Sequence, residues 1–141
     1  MANEHVVIVG AGHAGGTVAA QLRQQGFDGP ITLIGDEGEA PYQRPPLSKA
    51  WLLGSLTPDE LYLKPRRFYA EQGITLLNST EVRQIEAHGQ VLHLDNGATL
   101  VYDRLVIATG ARARRLELPG AQARGVLYLR DLRDADQLAV K

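Results

Sequence analysis

Six residues near the N-terminus, Gly10-Ala11-Gly12-His13-Ala14-Gly15, have the G-x-G-x-x-G spacing with which a backbone cradles a pyrophosphate. In such a turn Gly10 leaves a strand sharply, Gly12 lets the chain approach the phosphates, and Gly15 lets the next helix pack close to the sheet. The phosphates then meet a helix N-terminus, where unpaired N–H groups and the helix dipole favour negative charge. Twenty-one residues after Gly15, Asp36-Glu37 closes a second apolar run. A carboxylate there accepts hydrogen bonds from an adenosine ribose and disfavours a 2′-phosphate. The bland alternative is a glycine-rich turn without a ligand. The order of strand, glycines, helix, strand and acid argues against it. His13 occupies a variable position of the motif and is expected to face solvent or pack, not to act as a base.

Two further stretches could touch a cofactor. Leu105-Val106-Ile107-Ala108-Thr109-Gly110 is a β-branched run that stops on a glycine, which permits close backbone approach. Taken alone, it reads equally well as an ordinary strand and turn. In Tyr42-Gln43-Arg44-Pro45-Pro46-Leu47-Ser48-Lys49 two prolines hold the chain extended between two cations, Arg44 and Lys49. These are either a solvated basic loop or charges set over an anionic cofactor. Composition does not choose.

The elements that must position these residues are legible from periodicity. Val6 to Val9 reads as a strand apolar on both faces, as a central parallel strand requires. From Ala14 to Gln25 the pattern is helical, with Val18, Ala19 and Leu22 on one stripe and Gln21, Arg23, Gln24 and Gln25 outside. Gly26 should end it. Ile31 to Ile34 completes a strand–helix–strand unit. Asp36 to Leu63 is irregular and holds four of the seven prolines. Within it, Ser48 is expected to cap a short helix carrying Trp51, Leu52 and Leu53. A helix is expected from Lys64-Pro65 to Gln72, with proline at its first position, and then a strand over Ile74 to Leu77.

The period then changes to two. Val82 to Ile85, Val91 to Leu94 and Ala98 to Val101 form a meander, with turns at His88-Gly89 and Asp95-Asn96-Gly97. Leu105 to Ala108 returns to a buried strand, and Val126 to Leu129 is a further strand candidate. Asp131 is placed to cap a last helix with Asp134 in its first turn, running to the final residue.

Composition narrows the function classes. At 141 residues, a formal net charge of −1, 44% hydrophobic and 22% charged residues, the chain is an ordinary globular one. That balance gives no broad basic face for nucleic acid. The chain has no cysteine, which excludes a disulfide framework, a thiolate metal site and a redox-active dithiol within it. No metal site is expected. No run reaches the about 18 apolar residues of a membrane span. The opening Met1-Ala2-Asn3-Glu4-His5 is polar and lacks a basic region. The expected location is therefore cytoplasmic, without a membrane partner.

Taken together, Val-Val-Ile-Val-Gly-Ala-Gly-His-Ala-Gly, Leu-Ile-Gly-Asp-Glu, Pro-Tyr-Gln-Arg-Pro-Pro-Leu-Ser-Lys, Val-Ile-Ala-Thr-Gly-Ala-Arg and Leu-Tyr-Leu-Arg occur in this order. The sequence resembles the N-terminal part of the FAD-dependent ferredoxin reductases, the putidaredoxin, rhodocoxin and aromatic-ring dioxygenase reductase group. The resemblance covers essentially the whole chain. It implies an α/β fold, a Rossmann-like βαβ FAD-binding domain with a small antiparallel β-meander, apparently truncated. It implies electrons passing from NADH through FAD to a 2Fe–2S ferredoxin that serves a cytochrome P450 or a ring-hydroxylating dioxygenase. On that likeness Gly10, Gly12, Ala14 and Gly15 line the pyrophosphate, and Asp36 or Glu37 meets the ribose. Arg44 and Lys49 reach toward the flavin, Lys49 tuning its charge. Val82 lies near the adenine, and Ala108, Thr109, Gly110 and Arg130 complete the contacts. No acid–base residue is assigned.

The sequence has one glycine fingerprint only. Residues 1–111 are therefore expected to be the first segment of the FAD-binding domain, and residues 112–141 the connection into an NADH-binding domain absent from this chain. NADH is expected as co-substrate without a site here. The absent cysteines separate the chain from disulfide reductases of the same fold. Other readings are a quinone or monodehydroascorbate reductase, or a dinucleotide-binding module without turnover. Nothing in the sequence sets the oligomeric state.

Overall fold

Short apolar runs of four residues are long enough to pair but too short to stand alone, so their placement is set by what covers them. In the computed structural model, which describes residues 3–139, the elements in chain order are β1 (Val6–Val9), α1 (His13–Gln24), β2 (Ile31–Ile34), a 3-10 turn (Pro45–Ser48), α2 (Pro58–Leu61), α3 (Arg66–Glu71), β3 (Ile74–Leu77), β4 (Val82–Glu86), β5 (Val91–Leu94), β6 (Thr99–Val101), β7 (Arg104–Ile107) and α4 (Leu132–Ala139). They fall into two compact units. One holds the residues up to Tyr42 together with Tyr62–Gly110; the other holds Gln43–Leu61 and the residues from Ala111 onward.

The first unit is built on a parallel sheet ordered β3-β2-β1-β7, beside a separate antiparallel sheet ordered β4-β5-β6. Val6 is level with Ile31 on one side and Arg104 on the other, and Ile31 is level with Ile74. Side chains alternate strictly between two cores, as a period of two demands. Val6, Ile8, Ile31, Leu33, Ile74, Leu76 and Val106 pack with Ala19 and Leu22 of α1 and Tyr69 of α3. Val7, Val9, Ile34, Leu77 and Leu105 pack instead with Leu92, Leu94, Leu100 and Tyr102 of the meander region. Helices cover one face and the meander the other, which is why β1 is apolar throughout and β2 is apolar at every position but Thr32. Val7 and Ile8 are fully buried, each stabilising the fold by roughly 1.5–3 kcal/mol. Thr32, the buried polar residue of the sheet, is satisfied by His5 Nε2 at 2.8 Å.

Helix α1 ends as its glycine foretold. Gly26 has φ +84, its N–H donates to Arg23 O, and the Phe27 N–H reaches back to Leu22 O, a Schellman closure. Arg23 does more than face outward. Its guanidinium donates to the carbonyls of Phe27, Gly29, Gln72 and Gly73 at 2.7–3.0 Å, tying two loops to the helix end.

Several local expectations need correction. Helix α1 starts one residue early, at His13. Pro65 is the N-cap of α3, with ψ 144, not its first helical residue. The last sheet strand is Arg104–Ile107, and it is an edge strand: Ile107 is 62% exposed where a buried run was expected.

The second unit holds its share of differences. Ser48 closes the 3-10 turn and bonds Pro45 O, so it caps no following helix; residues 50–54 are turns. Val126 to Leu129 forms no strand, because nothing pairs with its backbone in a ladder, and its side chains at 126, 127 and 129 are exposed. The α4 start is as expected. Asp131 Oδ1 accepts the Asp134 N–H at 2.9 Å, while Asp134 Oδ2 accepts the N–H groups of Arg130 and Asp131. The expected continuation of this helix to the last residue falls on Val140 and Lys141, outside the described residues. Trp51 Nε1 donates to Asp136 Oδ1 at 2.9 Å, holding α4 to the stretch after Lys49.

Tyr69 carries a stability prediction. It is 2% exposed, its ring stands edge-on to Phe68, and its hydroxyl is buried with no partner. Burial pushes its phenol up to about 12. An unpaired buried hydroxyl costs about 1–3 kcal/mol, so Tyr69→Phe should be as stable as the parent or more so by up to about 2 kcal/mol in urea unfolding. The raised value favours the neutral phenol in the folded state, so this contribution is full below pH 10 and declines between pH 10 and 12. Tyr69→Phe should lack that alkaline component. A large loss of stability at pH 7 would contradict this account.

Candidate dinucleotide-binding site

The C-terminal ends of β1, β2 and β7 bring the predicted residues to one edge of the parallel sheet. Strand order runs outward from β1 through β2 to β3 on one side, and to β7 on the other. The junction between β1 and β7 is therefore the switch point where open α/β sheets bind ligands. There the Ala108 N–H donates to Val9 O at 2.7 Å, and the Gly10 N–H donates to Ile34 O at 2.8 Å.

The glycines of the turn have separable reasons. Gly10 has φ +111, and a Cβ on it would lie 2.0 Å from Ala108 O. A Cβ on Gly15 would lie 1.8 Å from Gly10 O, so α1 folds directly onto the turn. Gly16 leaves room for Pro41, whose Cβ would be 2.5 Å away, and Gly35 leaves room for Ala11, at 2.6 Å. Gly12 differs from all of these: a Cβ there meets nothing within 4 Å. Its φ of −90 and ψ of −158 are open to any residue. No protein packing explains that glycine.

Gly12 is also the N-cap of α1, and no side chain caps the helix; its first turn holds no acid. The first-turn donors and the positive end of the dipole thus go unanswered by side chains of the protein. A pyrophosphate fits this cradle in charge and in hydrogen-bonding sense. Ala14 is exposed on that first turn, and His13 is exposed as expected.

The loop after β2 is laced to the end of β3. Gly35 donates to Leu77 O, Thr80 to Gly35 O, and Ser79 to Glu37 O, each at 2.9 Å. Asp36 is left exposed, while Glu37 is half-buried and accepts a hydrogen bond from the Tyr42 hydroxyl. Nearby, Glu39 accepts from Tyr62 and pairs with Arg66. Burial first, then the Glu39 carboxylate, raise the Tyr62 phenol above its ordinary value. Val82 follows Thr80 by two residues; its side chain packs partly into the meander core.

The other predicted residues lie in the second unit. Arg44 Nη1 donates to Arg130 O at 3.1 Å, and the Arg130 N–H donates to Asp134. Lys49 is exposed, with Nζ folded back on Pro45 O and Ser48 Oγ at 3.4 and 3.3 Å. Among the described residues no group of three or more His, Cys, Asp or Glu could hold a metal ion, and no helix is long and apolar enough to cross a membrane. Sequence reasoning missed Gly16, Gly35 and Tyr42. The Gly15-Gly16 pair inside a helical pattern was a usable signal, since each glycine costs about 1 kcal/mol there. Tyr42 offered none.

Residues 4–141 match the family described as pyridine nucleotide-disulphide oxidoreductase. The chain is 50% identical over 137 residues to the probable ferredoxin reductase CtmF of Castellaniella defragrans, covering 97% of this chain and 34% of that protein. It is 44% identical over 133 residues to rhodocoxin reductase of Rhodococcus erythropolis, covering 94% of this chain and 31% of that one. In structure it resembles the reductase of the covalent putidaredoxin reductase–putidaredoxin complex, with TM-score 0.90, 46% identity, and coverage of 99% of this chain and 34% of that chain. It spans about a third of the length of these relatives.

The glycine geometry makes a sharp contrast. Alanine is the better helix former by about 1 kcal/mol, yet Gly15→Ala would force a methyl into the Gly10 carbonyl. It should lose about 3 kcal/mol in denaturant unfolding. Gly12→Ala should stay within about 0.5 kcal/mol of the parent. Equal losses at the two positions would overturn this assignment of roles.

Proposed function

Because the chain belongs to the pyridine nucleotide-disulphide oxidoreductase family, we propose that its first unit holds the ADP half of FAD. We further propose that, in a protein of its relatives' length, it serves electron transfer from NADH to a small iron–sulfur ferredoxin that feeds an oxygenase of the P450 or ring-hydroxylating dioxygenase type. One observation carries the cofactor reading. Of the fingerprint glycines Gly10, Gly12 and Gly15, Gly12 is the one whose side-chain space meets no protein atom, and it sits on an uncapped helix N-terminus at the switch point of the sheet. A pyrophosphate occupies that space and takes the first-turn N–H groups of α1. The likeness to a probable ferredoxin reductase and to rhodocoxin reductase supports the choice of acceptor.

Each residue then has a task. Gly10, Gly12, Ala14 and Gly15 line the pyrophosphate. Asp36 accepts the ribose hydroxyls, with Glu37 beside it. Ala108, Thr109 and Gly110 bring main chain close to the cofactor, and Val82 borders the adenine. For Arg44, Lys49 and Arg130 the proposal rests on the family resemblance, Lys49 supplying positive charge to the flavin ring. When bound, FAD supplies acceptance of two electrons from NADH and their release one at a time. The chain's own part is binding, orientation and charge. Its 141 residues include no thiol, so no residue of this chain forms a cysteine relay between flavin and acceptor.

In this reading residues 1–111 form the first segment of the FAD-binding domain. Residues 112–141 lead into an NADH-binding domain, which the threefold greater length of the relatives accommodates. The place of action is the cytoplasm, where NADH is at hand. Two measurements test the proposal. Gly12→Val should fold as the parent does yet bind FAD at least roughly 100-fold more weakly in a fluorescence titration, by steric exclusion of the pyrophosphate. Unchanged FAD affinity would sink the cofactor assignment. A chain extended through a second glycine fingerprint should reduce a ferredoxin with NADH, whereas the 141-residue chain with added FAD should not. Equal turnover by the two would require an NADH site within these residues.

A further inference from the structure

Two neighbouring acids leave the end of β2 in different states. Asp36 is exposed, and its carboxylate takes no hydrogen bond from the described residues; Glu37 is half-buried and accepts one from Tyr42. Tyr42 is itself 3% exposed, and its main chain forms an antiparallel bridge with Tyr62. Just before it, Pro41 accepts the Leu63 N–H at 3.0 Å and presses on the space that Gly16 leaves open in α1. At the other end of the loop, Gly35 and Glu37 are bonded through their main chains to residues 77–80. The segment from Gly35 to Tyr42 is thus fastened to β3's end, to α1 and to residues 62–63. Within the loop, the Tyr42 hydroxyl donates to the Glu37 carboxylate, while Glu39 accepts from Tyr62 and pairs with Arg66.

We propose that Tyr42 is a positioning residue: its hydroxyl holds Glu37, and through Glu37 it sets the backbone that presents Asp36 to the hydroxyls of the adenosine ribose. The inference rests on the ADP half of FAD binding at this edge, and it divides the two acids. Asp36 faces the ligand, and Glu37 serves as the anchor. A buried hydroxyl bonded to a carboxylate is among the stronger neutral–ion hydrogen bonds, and it is directional. Losing it releases the Glu37 side chain while the ring of Tyr42 stays packed. The pyrophosphate cradle, which is main chain at Gly12 and the first turn of α1, is left untouched. The loss should therefore fall on recognition of the ribose hydroxyls and not on binding as a whole.

The test is calorimetric titration of the 141-residue chain with ADP and with 2′,3′-dideoxy-ADP. The parent should prefer ADP by roughly tenfold, the worth of one or two hydrogen bonds to a charged acceptor. Asp36→Ala should abolish that preference. Tyr42→Phe should reduce it to within about twofold while leaving dideoxy-ADP affinity unchanged, a pattern that general destabilisation does not produce. Should Tyr42→Phe fail to fold, Glu37→Ala removes the acceptor in its place and carries the same expectation. A Tyr42→Phe chain that keeps the parental preference, or that weakens both ligands equally, overturns the proposal. Gly12→Val separates the two levels of inference. If it binds ADP as the parent does, the dinucleotide reading itself fails; if it loses ADP while Tyr42→Phe keeps the preference, only the role of Tyr42 does.

Discussion

The carbonyl oxygens of Ala108 and Gly10 lie where the side chains of Gly10 and Gly15 would otherwise be, at 2.0 and 1.8 Å from ideal Cβ positions. Backbone packed on backbone at that distance leaves no room for any residue with a Cβ. Three elements meet through this contact: the turn out of β1, the first turn of α1 and the end of β7. Its effect is to bring the open N-terminus of α1 to the edge of the sheet with its donors unshared by side chains. A larger residue at either glycine would push the helix from the strand and dissolve the cradle. The geometry of the candidate site therefore follows from how closely the main chain packs at Gly10 and Gly15.

That packing is sustained by cores on both faces of the sheet. Odd and even positions of the four parallel strands enter different clusters, one closed by α1 and α3 and the other by the meander. Neither layer could be spared, because strands apolar on both faces would otherwise expose half of their side chains to water. The meander thus does structural work that its exposed residues conceal. Leu92 and Leu94, both buried on β5, alternate with a half-exposed His93 that faces outward. Ile107 shares a face with Leu105 but ends the edge strand β7, and it is 62% in solvent.

Loops at both edges of the parallel sheet are held by specific polar ties instead of apolar area. Arg23 gathers four carbonyls from two loops, and Tyr42 and Tyr62 each donate to a glutamate of the segment after β2. Such bonds are individually worth about 1–3 kcal/mol when one partner is charged. Their use here is to fix a conformation that has no regular ladder to fix it. In the second unit, Trp51 with Asp136 and Arg44 with Arg130 do the same for a stretch otherwise made of turns.

Periodicity and glycine placement determined much of this protein on their own. The strands at Val6, Ile31, Ile74 and Val91, the reach of α1 to its Schellman glycine, and the capping aspartates of α4 follow from local sterics and hydrogen bonding, which act within a few residues. The same is true of the fingerprint from Gly10 to Gly15 and of the acids that follow β2. What lay beyond local reach was decided by contacts between distant segments. Nothing within Val126 to Leu129 says that it lacks a strand to pair with. No spacing shows that Ala108 is what forbids a side chain on Gly10, or that Pro41 requires Gly16. Asp36 and Glu37 are adjacent and chemically alike in sequence. The tertiary structure tells them apart: the Tyr42 hydroxyl, brought back across the loop beside Tyr62, donates to Glu37, while Asp36 stays exposed.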